Sequence, residues 1–371
     1  MSRLRARVVG WARRLSAGAP RVKRALAQAD VGVELLQHSL AEKLPSIIRP
    51  QTRKLTIAIT ARCNLRCLGC RYERDFMLGE QLSLSTVKEV LDDAAELGIE
   101  TVRLYGGEPL VHPQLPEMVA HAVKVGVRPY VTTNGMLLDR RITALFDAGL
   151  RDITIGFYGF DEALDVYTQR KGRFAQLERS LETVRARVGR QVKLQLNYLI
   201  MRPTAKIEVV RRVWELAKRF DMSVHTDLVH YSLPYFTPGV EQEIYFKPED
   251  EDDLRSLVDE LLRLKRSDPT RIPESEMGLR SIPEWLLKGP EMRIPCDVRN
   301  MAWIGANGVV QLCYVTFVLG NLREKRLKDI LYTSTHREAA RAAFRLDCPN
   351  CHCERDNRIR KHWASRQRFG G

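Results

Sequence analysis

Apolar runs alternate with amphipathic segments from residue 54 to about residue 230, which restricts the chain to few folds. Six strand and helix units in series predict parallel strands joined by right-handed crossovers. Such a sheet either stays open with helices on both faces or forms an incomplete barrel, and the periodicity fits both. The predicted strands are Leu55–Thr60, Thr101–Tyr105, Pro129–Thr132, Asp152–Phe157, Val192–Leu199 and Val224–Val229, with predicted helices at 84–97, 114–125, 139–148, 162–187 and 205–219.

The alternation stops after Tyr231. Pro248 begins a predicted helix whose first turn carries five carboxylates, which stabilise the positive end of the helix dipole. An Asn-Gly pair between two apolar runs predicts a β-hairpin further on. The remaining predicted elements are a short helix at Ile282–Leu287, the hairpin arms Ala302–Gly305 and Val309–Cys313, and two helical pieces within 326–345.

The 371 residues carry a net charge of +14, and the two ends of the chain supply most of it. Residues 1–29 contain eight basic side chains and no acidic one, and the tail from Glu354 contains six basic and two acidic side chains. The ends therefore account for twelve of the fourteen net charges. Because the body is nearly neutral, we expect no nucleic-acid-binding face.

The basic N-terminal segment has three open interpretations: a helix exposed to solvent, a helix on a membrane surface, and an organelle transit peptide. It lacks the apolar core of a secretory signal. The sequence also has no run of about 18 apolar residues, so we expect no membrane-spanning helix. The expected location is the cytoplasm, with a peripheral membrane contact through residues 1–29.

The eight cysteines form two groups, which is typical of metal binding in a reducing compartment rather than of a disulfide framework. Cys63, Cys67 and Cys70 follow the first predicted strand, and thiolates at this spacing can converge on one cluster. A closed cubane takes four cysteines, so three ligands leave one iron open to a substrate. A structural zinc site would need a fourth ligand, and His112 is distant in sequence.

The motifs after the next strands extend this pattern. Gly106-Gly107-Glu108-Pro109 follows the second predicted strand and Thr133-Asn134-Gly135 follows the third, while Asn197 lies on the fifth. Together with the three-cysteine loop, these motifs resemble the radical SAM superfamily. The resemblance implies a partial (β/α)6 TIM-like barrel, which is an α/β fold with its chemistry at the carboxyl ends of the strands.

The same resemblance implies the cofactors and the reaction. The cofactors are a 4Fe-4S cluster, which binds S-adenosylmethionine (SAM) through its open iron, and SAM itself. The glycines let the backbone approach SAM, Glu108 accepts from its amino group, and Asn134 and Asn197 lie where such enzymes contact SAM. Reductive cleavage of SAM yields a 5′-deoxyadenosyl radical that abstracts a hydrogen atom from the substrate.

Two positions depart from the superfamily pattern. Gly69 stands where an aromatic residue often packs on adenine, so either Tyr72 or another residue is expected to make that contact. The segment at the end of the fourth strand reads Ile155-Gly156-Phe157-Tyr158-Gly159, where many relatives have an Asp-Gly pair. Tyr158 is therefore either an active-site residue or a packed loop tyrosine.

The second cysteine group surrounds the predicted hairpin. Its spacing, with Gly308 in the turn and Gly320-Asn321-Leu322 after it, resembles the SPASM/twitch extension of radical SAM enzymes. The resemblance implies a second 4Fe-4S cluster, although four thiolates also suit zinc. Cys353 is then a fifth cysteine with three possible roles. It is a buried thiol, it replaces Cys351 as a ligand, or it donates a hydrogen atom to a substrate radical. The implied ligands are Cys296, Cys313, Cys348 and Cys351.

The expected domains are a basic helical extension (1–50), the barrel (51–235), a helical linker region (236–290) and a small hairpin-plus-helix auxiliary cluster domain with a basic tail (291–371). SPASM and twitch enzymes include peptide modifiers, amino-sugar dehydrogenases and epimerases. The residues before the barrel predict helices rather than a peptide-recognition domain. We therefore expect a small-molecule or lipid-linked substrate that is oxidised or epimerised.

Three other functions stay open: adenosyl transfer, peptide modification, and a non-catalytic iron–sulfur protein. The enzyme interpretation implies a reductant such as flavodoxin or ferredoxin. Asp227, His230, Tyr231 and Tyr314 are further polar candidates near the strand ends or the hairpin, and each is also explained by a structural role.

Overall fold

The computed structural model describes residues 20–68, 70–72, 76–230, 243–314 and 316–371, with side chains from residue 32 onward. A single sheet runs through the described residues, and all six predicted barrel strands are confirmed to within two residues at each end. The strands are β1 (Lys54–Thr60), β2 (Thr101–Gly106), β3 (Arg128–Thr133), β4 (Asp152–Phe157), β5 (Lys193–Ile200), β6 (Met222–Leu228), β7 (Met301–Ile304), β8 (Val309–Gln311) and β9 (Val318–Asn321).

The α-helices follow the strands in the predicted alternation up to residue 219. None of those described is both long enough and apolar enough to cross a membrane. They are α1 (Pro20–Lys43), α2 (Leu84–Glu96), α3 (Leu115–Lys124), α4 (Leu138–Asp147), α5 (Asp161–Thr168), α6 (Arg173–Val188), α7 (Ile207–Arg219), α8 (Glu251–Ser267), α9 (Glu276–Arg280), α10 (Ile282–Lys288), α11 (Leu327–Ile330), α12 (Ser334–Arg345), α13 (Arg355–Lys361) and α14 (Trp363–Phe369).

The strand order in the sheet is β6-β5-β4-β3-β2-β1-β7-β8-β9. Strands β1 to β6 are parallel, as predicted, and β1 does not pair with β6, so the barrel is partial. The predicted hairpin is confirmed as β7 and β8, with Gly308 in the turn at φ 83°. Strand β7 pairs in parallel with β1, so the hairpin extends the barrel sheet beyond its first strand.

The single helix predicted over 162–187 is wrong, because two helices occupy this region. The chain turns left-handed at Gln169 (φ 55°) and Gly172 (φ 72°), which interrupts the helical hydrogen bonds. The Asp165 carboxylate accepts from the backbone N–H groups of Gly172 and Arg173, at 2.6 and 2.8 Å. These bonds satisfy donors at the start of α6 and stabilise the break.

The barrel strands bury apolar side chains on one face and carry polar ones on the other. In β4, Ile153, Ile155 and Phe157 are buried in the main core, while the alternate residues Asp152 and Thr154 line an internal cavity. This period of two follows from the pleat of a strand. The helices cover the apolar face, so the polar face surrounds the lumen where ligands can bind.

Candidate active site

The three-cysteine loop leaves the carboxyl end of β1. Cys63, Cys67 and Cys70 are partly buried, and the backbone N–H of Cys70 donates to the carbonyl of Cys67 at 3.2 Å. Burial raises the pKa of the Cys67 thiol, and the nearby Cys70 and Cys63 raise it further, while Arg173 acts in the opposite direction. The predicted triad is therefore brought together beside one buried cation, where a positively charged cluster would favour the thiolates.

Two glycines pack the end of β2 against the end of β1. A Cβ atom on Gly106 (φ 144°) would lie 2.1 Å from the Thr60 carbonyl oxygen. A Cβ atom on Gly107 would lie 2.4 Å from the Ala61 oxygen and 2.5 Å from the Arg62 oxygen. Only glycine fits at these positions, because the neighbouring backbone already occupies the space.

Glu108 is fully buried and joins the loops that follow β2 and β3. Its carboxylate accepts from the hydroxyl of Thr133 (2.7 Å) and the backbone N–H groups of Asn134 (2.7 Å) and Leu110 (2.9 Å). Leu110 lies in the short 3₁₀ turn that the buried Pro109 begins. Burial raises the pKa of Glu108 to about 7, although the three donors oppose the shift. The side chain thus fixes two predicted SAM-binding loops to each other.

Asn134 links these loops to the cysteines. Its side-chain Nδ2 donates to the Asn64 Oδ1 at 2.8 Å, and its Oδ1 accepts from the Met136 N–H at 3.0 Å. The buried Arg173 donates to the Asn134 carbonyl at 2.9 Å, and its Nε and one terminal nitrogen have no protein partner among the described residues. Sequence reasoning missed Arg173, since only the fold brings it to the loop after β3.

The two aromatic candidates lie on either side of the cysteine loop. Tyr72 is buried, contacts Tyr105 through their hydroxyls (3.2 Å), and packs edge-on against Phe76. Tyr158 packs against Tyr167 with ring centroids 4.7 Å apart. Gly69 lies outside the described residues. The adenine contact of Tyr72 stays a prediction.

The barrel lumen is a cavity of about 830 Å³ lined mainly by polar side chains of the strands. Asn197 on β5 donates through Nδ2 to the Asp227 Oδ2 on β6 at 2.9 Å. Burial acts to raise the pKa of Asp227, but four neighbours outweigh it and lower the pKa. They are His352, Asn197, His225 and His230. The predicted Asn197 contact with SAM stays a prediction. The sequence candidate Tyr231 lies outside the described residues.

The second cysteine group lines one small cavity. All five thiols contribute to it, and no carboxylate among the described residues lines the same wall, which fits an iron–sulfur cluster in its donor set. Cys353 also lines the lumen, and its Sγ lies 3.4 Å from the His230 Nε2. The lining residues are Cys296, Val298, Cys313, Phe317, Ala343, Leu346, Cys348, Asn350, Cys351, Cys353 and Arg358.

Arg358 organises the turn that carries the last cysteines. Its buried guanidinium donates to the carbonyl oxygens of Cys351 and Ile294 and to the Asn350 Oδ1, and it lies over the Trp285 ring at 4.7 Å. The basic tail predicted from residue 354 is therefore partly built into the core. The sequence did not predict this role for Arg358. The residue was counted as part of a basic tail, and the apolar pattern there is too weak to predict the helices that the tail forms.

Two curated relatives resemble parts of this chain. GTP 3′,8-cyclase of Chlorobaculum tepidum is 35% identical over 170 residues, which cover 45% of this chain and 51% of that protein. Fe-coproporphyrin III synthase of Methanosarcina barkeri is 33% identical over 147 residues, which cover 38% of this chain and 37% of that protein. The chain therefore spans about half or less of the length of these relatives.

Solved structures share the fold over more of the chain. The structure of anSMEcpe with bound AdoMet has a TM-score of 0.59 at 17% identity, covering 78% of this chain and 84% of that one. Streptococcus suis SuiB bound to S-adenosylmethionine has a TM-score of 0.60 at 17% identity, covering 92% of this chain and 78% of that one. At this identity the likeness establishes the fold.

The family comparison covers both cysteine groups. The radical SAM superfamily model matches residues 57–212, and the model of the SPASM iron–sulfur cluster-binding domain matches residues 296–354. The first domain implies a 4Fe-4S cluster and SAM as cofactors, and the second implies further iron–sulfur binding. The chain belongs to the radical SAM superfamily and carries a C-terminal SPASM domain.

Proposed function

We propose that this protein is a radical SAM oxidoreductase or epimerase that acts on a small polar or lipid-linked substrate in the barrel lumen. The observation that carries the proposal is the polar cavity of about 830 Å³, which reaches Cys353 of the second cysteine group. Such a cavity would hold a substrate beside the second cysteine group, with Tyr105 and Thr132, which immediately precede the proposed SAM-binding loops, on its wall.

Cys63, Cys67 and Cys70 hold the SAM-binding cluster in this proposal, and the second cluster uses the four cysteines predicted above. When bound, the reduced cluster supplies the electron that cleaves SAM to a 5′-deoxyadenosyl radical. The loops joined by Glu108 and Asn134 hold SAM beside the cysteines. Tyr72 and Asn197 complete the proposed SAM contacts.

Anaerobic reconstitution tests this assignment. We expect about eight irons per chain and formation of 5′-deoxyadenosine after addition of SAM and dithionite. The variant Cys67→Ala should keep the second cluster, with about half the iron, and form no 5′-deoxyadenosine. Absence of 5′-deoxyadenosine from the iron-loaded wild type would refute the enzyme assignment and favour a non-catalytic protein. About four irons with bound zinc would contradict the second cluster.

Cys353 is the proposed hydrogen donor for epimerisation. Four thiols complete a cubane, and the fifth opens onto the lumen beside His230. Its thiol would give a hydrogen atom to the substrate radical, and the external reductant and a proton would restore the thiol. In Cys353→Ala we expect full iron content, retained 5′-deoxyadenosine formation and no solvent deuterium in the product. Full turnover with full iron would refute the donor role, and lost iron would instead identify a ligand.

A peptide substrate is the second candidate, because relatives in fold have been solved with peptides bound: SuiB with precursor peptide SuiA and anSMEcpe with the Cp18Cys peptide. The charged lumen of this chain favours a compact polar substrate instead. A peptide encoded next to the gene of this protein and candidate polar metabolites can be compared as substrates in the same 5′-deoxyadenosine assay. Stimulation by the peptide alone would favour peptide modification.

We also propose a peripheral contact between helix α1 and an anionic membrane. Val33, Leu36 and Leu40 are 41%, 71% and 50% exposed, and this spacing places them along one side of α1. Leu44, which is 50% exposed, follows directly after the helix. The eight basic residues of segment 1–29 give the charge that complements anionic lipids.

Sedimentation with vesicles tests this contact. We expect binding to phosphatidylglycerol vesicles but not to phosphatidylcholine vesicles. The double variant Leu36→Glu/Leu40→Glu should lose binding. Leu78→Glu is the matched control, because Leu78 is 65% exposed and lies outside α1. Equal binding of both variants would refute the proposed surface.

A further inference from the structure

A partly buried cation lies in the lumen outside the contacts described above. Arg103 on β2 lines the cavity. Its Nε donates to the Thr132 hydroxyl at 2.8 Å, one terminal nitrogen donates to the Tyr314 hydroxyl at 2.6 Å, and the guanidinium lies 4.8 Å from the centre of the Tyr105 ring. The tyrosines and the threonine hold the group in one orientation.

The guanidinium has donors to spare. An arginine carries five N–H donors, of which two are used by these hydroxyls. Within the described part of the chain no carboxylate forms an ion pair with Arg103, and the nearby Asp227 bonds to Asn197 instead. A charge in such a site normally has an opposite charge as its partner. The lumen therefore presents an ordered cation that has no direct carboxylate partner among the described residues, and Asp227 acts on it only without contact.

A second cation lies close to Arg103 in the lumen. Lys54 on β1 also lines the lumen, and its ammonium is 3.6 Å from the Glu354 carboxylate, which partly neutralises it. Arg103 lies three residues before Gly106, or about 10 Å along the strand from the proposed SAM-binding loop. If an anionic group of a small molecule binds to Arg103, the rest of that molecule would thus lie near the proposed SAM-binding loop.

We propose that Arg103 binds an oxyanion of the substrate, either a carboxylate or a phosphate. Arginine suits both groups, because its planar fork donates two parallel hydrogen bonds to two oxygens. This inference rests on the proposed function for calling the anion part of a substrate. The anion site itself is independent of SAM cleavage.

The test titrates the reconstituted protein with sodium phosphate or sodium acetate at constant ionic strength, with and without SAM, and follows the thermal unfolding midpoint. We expect saturable stabilisation, and the anion that binds tighter identifies the substrate group. Arg103→Gln should weaken the apparent affinity at least tenfold. Arg128→Gln is the matched control, because Arg128 loses the same charge from the exposed end of the same lumen, and it should change affinity less than twofold.

Several outcomes would overturn the inference: no midpoint shift with either anion, an equal shift in Arg103→Gln, or a shift that SAM abolishes. If Arg103→Gln fails to fold, Arg103→Lys decides, because one ammonium cannot make the two-pronged contact and should bind at least threefold more weakly. Unchanged affinity in that variant would also overturn it. The same preparations are assayed for 5′-deoxyadenosine, so loss of the proposed function alone is seen separately from loss of anion binding.

Discussion

Replacing Gly107 by alanine tests why the motif after β2 needs glycine. The new Cβ would lie 2.4 and 2.5 Å from the carbonyl oxygens of Ala61 and Arg62, so β1 and β2 must separate by roughly 0.6 Å to reach a tolerated contact. That shift weakens two hydrogen bonds of 2.9 Å, from the N–H groups of Gly107 and Glu108 to the carbonyls of Thr60 and Arg62. Overpacking costs about 1–3 kcal/mol and each hydrogen bond about 1 kcal/mol, so we expect a loss of about 3–5 kcal/mol in the free energy of unfolding.

The assay is urea unfolding followed by circular dichroism without SAM, together with calorimetric SAM binding. Gly32→Ala is the control, because Gly32 lies in α1 with no atom within 4 Å of the place that an alanine Cβ would take, and alanine there should stabilise the helix by up to about 1 kcal/mol. If Gly107→Ala unfolds like the wild type but binds SAM more weakly, the backbone-packing argument is wrong. The glycine would then serve the approach of SAM, as the sequence motif implies.

Three further substitutions test other parts of the structure. The buried His336 accepts a hydrogen bond at Nδ1 from the Tyr332 N–H, and burial lowers its pKa to about 4. Because an unfolded histidine has a pKa near 6.5, the neutral side chain favours the folded state above that pH. This contribution to the free energy of unfolding, about 3 kcal/mol, is lost as the pH falls from 6.5 to 4. Thermal unfolding at pH 7 and 5 should show a smaller loss in His336→Gln than in the wild type; equal losses would contradict this. Arg358→Met should lower iron content towards half while retaining 5′-deoxyadenosine formation, because the Cys351 carbonyl loses its donor; unchanged iron would contradict the role of Arg358. Glu108→Gln should destabilise the protein by about 2 kcal/mol in urea unfolding, because an amide NH₂ must face one of three donors; unchanged stability would contradict this account.

The sequence predicted the barrel because its evidence is local. Each strand and helix carries its own periodicity, so all six strands were identified, along with the hairpin at Gly308. The wrong helix over 162–187 shows the limit of that method. Its apolar spacing continues past Gln169 and Gly172, whereas the bonds that stabilise the break come from Asp165. Those contacts depend on backbone conformation, which periodicity does not report.

The candidate site was predicted only as far as its motifs reach. The three-cysteine loop and Glu108 belong to motifs with recognisable spacing. The hydrogen bond from the Thr133 hydroxyl to Glu108, however, joins residues 25 positions apart and depends on which strands are neighbours. Arg103 and Arg358 are single charged residues without a motif. Their positions follow from the sheet order and from a tail that folds back, so a sequence alone gives them no distinguishing signal.

The open side of the barrel explains why the second cysteine group borders the lumen. Strand β1 pairs with β7 and not with β6, so the barrel stays open beyond β6, and the segment 352–355 contacts both β1 and β6. Glu354 contacts Lys54 on β1 at 3.6 Å, and Arg355 donates to the Thr226 carbonyl on β6 at 2.9 Å. The same turn presents Cys353 to the lumen. Because this segment contacts β1 and β6, the incomplete barrel leaves room for the second cysteine group to border the proposed substrate site.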